Sequence, residues 1–252
     1  TEEKEIEKLH SLMENARANQ VRAELLEEKA IREIEPHCQA YRYGIHLPEV
    51  SVIDSLAVLR ALVAELKQEG VEIHLGEPVE TVYPGRQMLK TPKNLYGYGH
   101  LFNCAGAHAD EMARFFGLAS NYALIPFKGI YYSLRKEKGY LVRSNIYPVP
   151  DPAFPFLGVH FTRAVDGEVH VGPTAMPALG RENYGLLEGI NLREGLDILR
   201  FLGEMFFSAD GKFRRLALQE WANYLKPLFV SRAQKLVTEL RADDLVPSSK
   251  VG

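Results

Sequence analysis

Four side chains suited to proton transfer and anion binding lie within the run from residue 145 to residue 174. They are His160, Thr162 and Arg163, followed by His170 beyond an Asp-Gly pair. An imidazole with an ordinary pKa of ~6.5 can accept a proton near neutral pH. A guanidinium matches a carboxylate as a two-pronged donor. These residue types in one short stretch indicate a place that holds a small polar ligand.

A β-hairpin must position these side chains. Alternating runs flank Asp166-Gly167, and a three-residue loop (165–167) with Gly167 in the left-handed region keeps apolar and polar residues on separate faces. A two-residue turn would mix the faces. The predicted apolar face carries Val159, Phe161, Val169 and Val171, and the polar face carries His160, Thr162 and His170. The same alternation puts Arg163 on the apolar side unless the strand bends there. Four prolines between residues 148 and 155 predict an ordered, non-helical arm before the hairpin.

The run IYPVPDPAFPFLGVHFTR, continued by DGEVHVGPTA, resembles the corresponding segment of L-2-hydroxyglutarate oxidases and dehydrogenases. These are FAD-dependent enzymes of the D-amino-acid-oxidase-like superfamily. Weaker similarity covers residues 35–54, 101–117 and 123–134. The resemblance implies oxidation of L-2-hydroxyglutarate, a small-molecule 2-hydroxy acid, to 2-oxoglutarate. It also implies FAD as cofactor, with oxygen or a membrane quinone as electron acceptor.

The chemistry implied by the resemblance assigns roles to the hairpin and to the strand before it. His160 would be the general base, with Arg163 and Lys128 as the carboxylate anchors. Tyr131, Thr162 and Thr174 are the further predicted substrate contacts. Each has a structural alternative: a strand histidine is often only hydrogen-bonded, a strand tyrosine often only packs, and an arginine or lysine is often only solvated.

The turn Cys104-Ala105-Gly106 is the predicted approach to the cofactor. In the family a similar motif lets the backbone come close to the adenosine and phosphate side of FAD, and only small residues permit such an approach. A tight strand-to-helix turn with no ligand is the alternative. By resemblance, Val79 contacts the adenine and Gly129 lies near the flavin ring. Family members often carry Arg-Gly-Glu where this chain has Lys128-Gly-Ile130, so the resemblance does not carry a functional carboxylate over to this position.

The expected fold class is α/β (α+β). Residues 1–120 would be part of a three-layer FAD-binding domain, and residues 121–252 an antiparallel-sheet substrate domain with a helical C-terminal part. The chain opens with a charged helix and lacks a G-x-G-x-x-G turn; Gly97 and Gly99 come nearest, in the wrong context. We therefore expect an internal piece of a longer protein.

Periodicity predicts the remaining elements. One helix runs to about residue 69 behind a capping box and buries Leu56, Leu59, Val63 and Leu66. The last helix buries a stripe that includes Phe229, Val237 and Leu240. The predicted helices cover residues 2–19, 24–35, 51–69, 192–207, 213–225 and 228–240, with one starting near 109, and the predicted strands cover 42–47, 71–75, 78–83, 86–90, 99–104 and 123–134.

Composition excludes several classes of function. The 252 residues are 46% hydrophobic and 25% charged, which is typical of a globular protein. A net charge of −3 gives no electrostatic basis for binding nucleic acid. Two cysteines are too few for a disulfide framework, and no His, Cys, Asp and Glu set has metal-ligand spacing. No apolar run reaches the roughly 20 residues of a membrane span. We expect a cytoplasmic protein, with a contact at the inner membrane face where a quinone is the acceptor.

Two rival hypotheses stay open. Another member of the same superfamily, acting on an amino acid or glycerol 3-phosphate, would share the C-A-G and P-F-K-G features. The long Y-P-V-P-D-P run and the hairpin after it do not fit that rival. The second rival is a folded chain without catalytic activity, which binds a small molecule or nothing.

Overall fold

The computed structural model describes residues 3–150, 157–185, 187–208, 211, 213–215, 217–218 and 225–251. The chain divides into two compact units, each discontinuous in sequence. We call Thr1–Asp54, Phe127–Met176 and Leu202–Gly252 the sheet unit, and Ser55–Pro126 with Pro177–Phe201 the meander unit. The functional division at residue 120 stays a prediction; a change of unit falls close to it, after Pro126.

Helices alternate with short antiparallel strands, which confirms the expected α+β class. In chain order the described helices and strands are α1 (Ile6–Ala18), β1 (Glu24–Glu27), α2 (Glu28–Ile34), β2 (Tyr43–His46), α3 (Ser55–Gln68), β3 (Thr81–Tyr83), β4 (Met88–Lys90), β5 (Leu95–Gly97), α4 (Ala109–Arg114), β6 (Phe127–Leu134), β7 (His160–Arg163), β8 (Val169–Pro177), α5 (Leu192–Phe206), α6 (Lys226–Ala233) and β9 (Leu245–Val251). None of these helices is both long and apolar enough to cross a bilayer.

A four-stranded sheet in the order β7-β8-β6-β9 organises the sheet unit. Strands β7 and β8 form the predicted hairpin, in which His160 lies opposite Gly172 and Arg163 opposite Val169. The amide of Ala164 donates to the carbonyl of Glu168 (2.8 Å), and Gly167 has φ +85°. The three-residue loop is therefore confirmed. Its register fixes which side chains share a face.

The core of the sheet unit lies on the apolar face of this hairpin. Phe161 and Val171 are completely buried, and the C-terminal tail packs on the same cluster. The predicted tail stripe is confirmed, because Phe229, Val237 and Leu240 have no exposed surface. The predicted helix 228–240 is wrong in length, since α6 ends at Ala233. The segment after it bridges to an N-terminal loop, with Val237 opposite Cys38.

The N-terminal part confirms α1 and the strand around residues 42–47. The predicted helix 24–35 is half wrong, because residues 24–27 form β1 and only Glu28–Ile34 is helical. Strand β1 pairs with β2 from Glu24 opposite His46 to Glu27 opposite Tyr43. Pairing with a distant strand has overridden the local helical preference of E-L-L-E.

The meander unit contains α3, α4, most of α5 and the three-stranded sheet β3-β4-β5. The predicted meander and the turn into a helix at Ala109 are confirmed. The burial predicted for α3 is wrong, because Leu56, Leu59 and Leu66 are 52%, 56% and 43% exposed. The predicted strands 71–75 and 99–104 are also wrong. A strand needs a partner, and neither segment pairs with another strand in the described part of the chain.

Two predictions fall partly outside the described residues. The proline-rich arm includes residues 151–156, and the predicted helix 213–225 includes residues 216 and 219–224 with Trp221. The remaining helix in this region, predicted for 192–207, is confirmed as α5.

Candidate functional site

The hairpin separates its side chains as the alternation predicts. Thr162 lies directly opposite His170, and His160 lies two residues before Thr162 on the same face. The other face, with Phe161 and Val171, belongs to the core. The two imidazoles thus lie on strands whose opposite face is packed in the core.

Aromatic and cationic groups from three other segments surround the two histidines. The ring of Tyr147 lies 4.6 Å from that of His160, at an interplanar angle of 32°. Tyr131 meets His170 edge-on, with ring centroids 6.5 Å apart. The ammonium of Lys250 lies 4.8 Å from the centre of the Tyr131 ring. We call these five residues the imidazole face; Ser133 Oγ lies beside it, 3.5 Å from His170 Nδ1.

His160 is placed as a base rather than as a cation. Its Nδ1 lies 3.0 Å from the carbonyl oxygen of Gly158, and because a carbonyl only accepts, Nδ1 must carry the hydrogen. Nε2 then holds a lone pair. Burial is the main cause that lowers the pKa of His160; the bond to Gly158 opposes this, and the positive charge of Lys250 adds to it. The neutral imidazole is therefore the form present near neutral pH.

Burial also favours the neutral forms of two neighbours of His160. Burial, and then Lys250, lowers the pKa of His170, against the smaller effect of Glu168. Burial, and then Tyr147, raises the pKa of Tyr131, which keeps its hydroxyl protonated as a hydrogen-bond donor. The imidazole face thus presents neutral imidazoles, phenol groups and one ammonium. This set can hold an anion and accept a proton.

The structure does not bring Arg163 to this face. Its guanidinium donates to the carbonyls of Gly139 (3.0 Å) and Val142 (2.8 Å), and its own amide donates to Asn145 (2.9 Å). Alternation put the residue on the side of Phe161, and the strand does not bend to correct this. The pairing of Arg163 with His160 as joint substrate groups is not found, and we remove Arg163 from the candidate site.

The other predicted substrate residues lie on or next to the same sheet. Lys128 is buried, and burial lowers the pKa of its ammonium. Thr174 is also buried, and its hydroxyl has no hydrogen-bond partner among the described residues. An orphaned buried hydroxyl has a free-energy cost that a bound ligand can relieve. Gly129 directly precedes an irregularity in the pairing of β6 with β9, between Ile130 and Tyr132.

A groove of about 790 Å³ in the meander unit contains most of the predicted cofactor contacts. Val79 and the adjacent pair Cys104-Ala105, which lie in two separate parts of the sequence, meet at this groove. The residues lining it are Pro78, Val79, Glu80, Leu101, Phe102, Asn103, Cys104, Ala105, His108, Glu111, Met112, Arg114 and Phe115. Gly106 does not line the groove but turns the chain beside it, with φ +55°.

Side chains hold the turn at residues 104–108 in place. Asn103 accepts a hydrogen bond from the amide of Ala105 (3.3 Å) and donates to the carbonyl of Ala109 (2.8 Å). The protonated His108 donates to Glu111 (2.7 Å) and Glu182 (3.1 Å), and these two bonds raise its pKa. The turn is therefore held by side chains of the protein itself.

The groove has the size and the lining to hold a flat heterocycle such as the adenine of FAD. Its volume lies in the range of small-molecule sites, and apolar walls such as Leu101, Met112 and Phe115 suit a flat heterocycle. The backbone at Gly106 is open, since a Cβ built there would meet nothing within 4 Å. Polar backbone can thus approach a ligand at this turn without a side chain in between.

Two contributors to the imidazole face were missed from the sequence. Tyr147 lies inside the distinctive Y-P-V-P-D-P run, so its position could have marked it as a candidate. Lys250 is brought there only by the pairing of β9 with β6, between residues more than 100 positions apart. No local pattern signals that pairing.

Comparison with known proteins defines the class. Residues 1–237 match the family model described as FAD dependent oxidoreductase (DAO), and the chain belongs to this family. Among curated proteins it is 34% identical to a mitochondrial L-2-hydroxyglutarate dehydrogenase of Nematostella vectensis, over 97% of this chain and 57% of that protein. It is 32% identical to the L-2-hydroxyglutarate dehydrogenase of Indibacter alkaliphilus, over 98% of this chain and 62% of that protein. The chain thus spans somewhat more than half the length of these relatives.

Solved structures show the same fold. The L-alpha-glycerophosphate oxidase of Mycoplasma pneumoniae superposes with a TM-score of 0.65 at 17% identity, covering 97% of this chain and 57% of that one. The glycine oxidase of Geobacillus kaustophilus gives 0.62 at 15% identity, covering 100% and 55%. At such low identity the likeness establishes the fold and not the substrate. FAD is the cofactor of the family, as the sequence predicted.

Proposed function

We propose that this chain is the substrate-binding part, with part of the cofactor-binding region, of a FAD-dependent enzyme that oxidises L-2-hydroxyglutarate to 2-oxoglutarate. Similarity to proteins named L-2-hydroxyglutarate dehydrogenase runs over nearly the whole chain. The observation that carries the proposal is the imidazole face, where a neutral histidine lies within a cluster that also holds an ammonium and phenol groups.

His160 is the proposed general base. Oxidation of a secondary alcohol removes the hydroxyl proton and the α-hydrogen with its electron pair. Nε2 of His160 is the acceptor for the proton, because Nδ1 is committed to Gly158. Tyr147, whose ring packs against the imidazole at a tilt of 32°, limits its rotation and shields it from water. When bound, FAD supplies the two-electron acceptor for the α-hydrogen.

The carboxylates of the substrate need cations or strong donors. We assign one carboxylate to Lys250, with the hydroxyl of Tyr131 as a neighbouring donor. Lys128 is retained from the sequence prediction as the partner of the second carboxylate, and Thr162 and Thr174 as polar contacts. The orphaned hydroxyl of Thr174 supports its inclusion.

The groove at residues 104–105 is the proposed binding place for the adenosine side of FAD. Val79 would contact the adenine, and the backbone of Cys104, Ala105 and Gly106 would approach the phosphates. Gly129 is retained from the sequence prediction as a contact near the flavin ring. The convergence of Val79 with Cys104 and Ala105 on one groove supports this assignment. Oxygen and a membrane quinone are the two electron acceptors to compare, and the second would bring the protein to a membrane surface.

The test is anaerobic reduction of the bound flavin in the protein expressed from its complete gene. L-2-hydroxyglutarate should bleach the visible flavin absorbance, whereas glycine, D-alanine and glycerol 3-phosphate should leave it unchanged. Bleaching by one of the other three compounds and not by L-2-hydroxyglutarate would assign a different substrate within the family. A colourless protein that binds no added FAD would favour a chain without catalytic activity.

A further inference from the structure

Arg181, in the meander unit, was not singled out by the sequence analysis. Arg181 is only 10% exposed at its side chain, as is its partner Asp110. Its guanidinium donates to both oxygens of Asp110, at 2.5 Å and 3.0 Å. It also donates to the carbonyl oxygen of Ala107. One planar group therefore binds a main-chain oxygen inside the turn and a carboxylate in the first turn of α4.

The surrounding charges keep this pair ionised. The hydrogen bond from Arg181 is the main cause that lowers the pKa of Asp110, against the effect of burial. Glu194 lies 3.5 Å and Glu111 3.7 Å from Nε of Arg181. The amide of Arg181 also donates to Glu194 (3.3 Å). Hydrogen bonds thus hold both the main-chain amide and the guanidinium of Arg181.

We propose that Arg181 is a positioning residue for the cofactor, which holds the Cys104–His108 turn in the shape that FAD binds. The inference rests on the proposed function, because it takes the groove beside this turn as the adenosine site. The side chain of Asn103, the residue before the turn, hydrogen-bonds to the backbone of Ala105 and Ala109. Arg181, which is distant in sequence, hydrogen-bonds to the carbonyl of Ala107 and to the carboxylate of Asp110. The residue touches neither the reacting atoms nor, by this assignment, the cofactor.

A lysine cannot replace this arginine. The guanidinium is planar and presents donors in several directions at once, whereas an ammonium is a single point on a flexible stem. Lysine could reach Asp110 or Ala107 but would not bridge them in the same way. A turn that is less well organised before binding lowers affinity for its ligand, because binding must then restrict its motion.

The experiment measures the dissociation constant of FAD for the apoprotein prepared from the complete gene product. We expect Arg181→Lys to raise this constant about tenfold. The matched control is Arg193→Lys, at an exposed arginine of the same unit, which should change it less than about twofold. In Arg181→Ala, added ethylguanidinium should restore part of the FAD affinity and ethylammonium should not. A purely structural role would lower the apoprotein's melting temperature without changing the constant or allowing this rescue.

The outcomes separate the two proposals. Wild-type protein that binds no FAD contradicts the assignment of the groove and, with it, the proposed function. Wild-type protein that binds FAD, with Arg181→Lys equal to Arg193→Lys, overturns only the role of Arg181. If Arg181→Lys loses its circular dichroism spectrum, Asp110→Asn takes its place, and unchanged FAD affinity in that variant overturns the role. Loss of fold in both variants also overturns it, because the network would then be a requirement of folding.

Discussion

Glu35 offers a sharp test of how the imidazole face is held. The residue is 5% exposed and follows α2. Its carboxylate accepts three hydrogen bonds, from the amide of Arg143 (2.9 Å), the amide of Ser144 and the hydroxyl of Ser144 (2.6 Å). Two residues further on, Ile146 exchanges hydrogen bonds with Phe161. Glu35 therefore anchors the segment that places Tyr147 on His160.

The substitution Glu35→Gln keeps the shape and removes the charge. An amide can accept at one oxygen only, so its NH₂ group must face either the amide of Arg143 or the two donors of Ser144. At least one buried donor is left unpaired, and the remaining bonds lose their charge assistance. We expect a loss of about 2 to 4 kcal/mol in the free energy of unfolding. For a chain of this size the melting temperature should then fall by about 5 to 15 °C.

The assay is urea unfolding followed by circular dichroism, with Glu33→Gln as the matched control. Glu33 is an exposed carboxylate in α2, two residues before Glu35, so its substitution should shift the free energy by less than about 0.5 kcal/mol. Ser144→Ala removes one of the three bonds and should cost about 1 kcal/mol. Equal stability of Glu35→Gln and Glu33→Gln would refute the anchoring argument.

Three further predictions concern the site. The rate of flavin reduction should fall as pH drops through the pKa of His160, because the neutral imidazole is the active form. Burial lowers that pKa, so a stopped-flow pH profile should place the acidic limb below ~6.5. An acidic limb at higher pH would contradict the assignment of His160 as the base. Lys250→Met should raise KM for L-2-hydroxyglutarate about tenfold in steady-state kinetics. Arg163→Met should leave KM within about twofold and lower the free energy of unfolding by about 2 kcal/mol in urea. A raised KM in Arg163→Met with an unchanged KM in Lys250→Met would contradict both assignments. A thiol reagent at pH 8 should modify exposed Cys104 and spare Cys38, whose pKa burial raises to about 11. Bound FAD should slow the labelling of Cys104, which lines the groove. Equal labelling rates with and without FAD would contradict the assignment of the groove as the FAD site.

Local patterns were sufficient to predict the hairpin and its faces. Asp166-Gly167 fixed the loop length, and strict alternation then separated His160 from Phe161. The same alternation placed Arg163 on the core side, where its guanidinium is bonded to carbonyl oxygens. The proposed substrate role required this cation on the polar face. The side chain instead follows the alternation of the strand.

Other errors came from long-range pairing. Residues 24–27 look helical locally but pair with β2, and Lys250 reaches the imidazole face through β9. In the meander unit, the segment 71–75 has the alternation of a strand yet pairs with no strand in the described residues. Strand pairing depends on partners distant in sequence, which a local period cannot supply.

The most direct measurement is a single anaerobic turnover of the enzyme expressed from its complete gene, with L-2-hydroxyglutarate and with His160→Gln beside the wild type. The proposed function predicts complete bleaching of the flavin, one 2-oxoglutarate formed per flavin, and a rate at least about 10²-fold slower in His160→Gln at equal flavin content. A wild-type flavin that stays oxidised, or a His160→Gln variant that reacts at the wild-type rate, would contradict it.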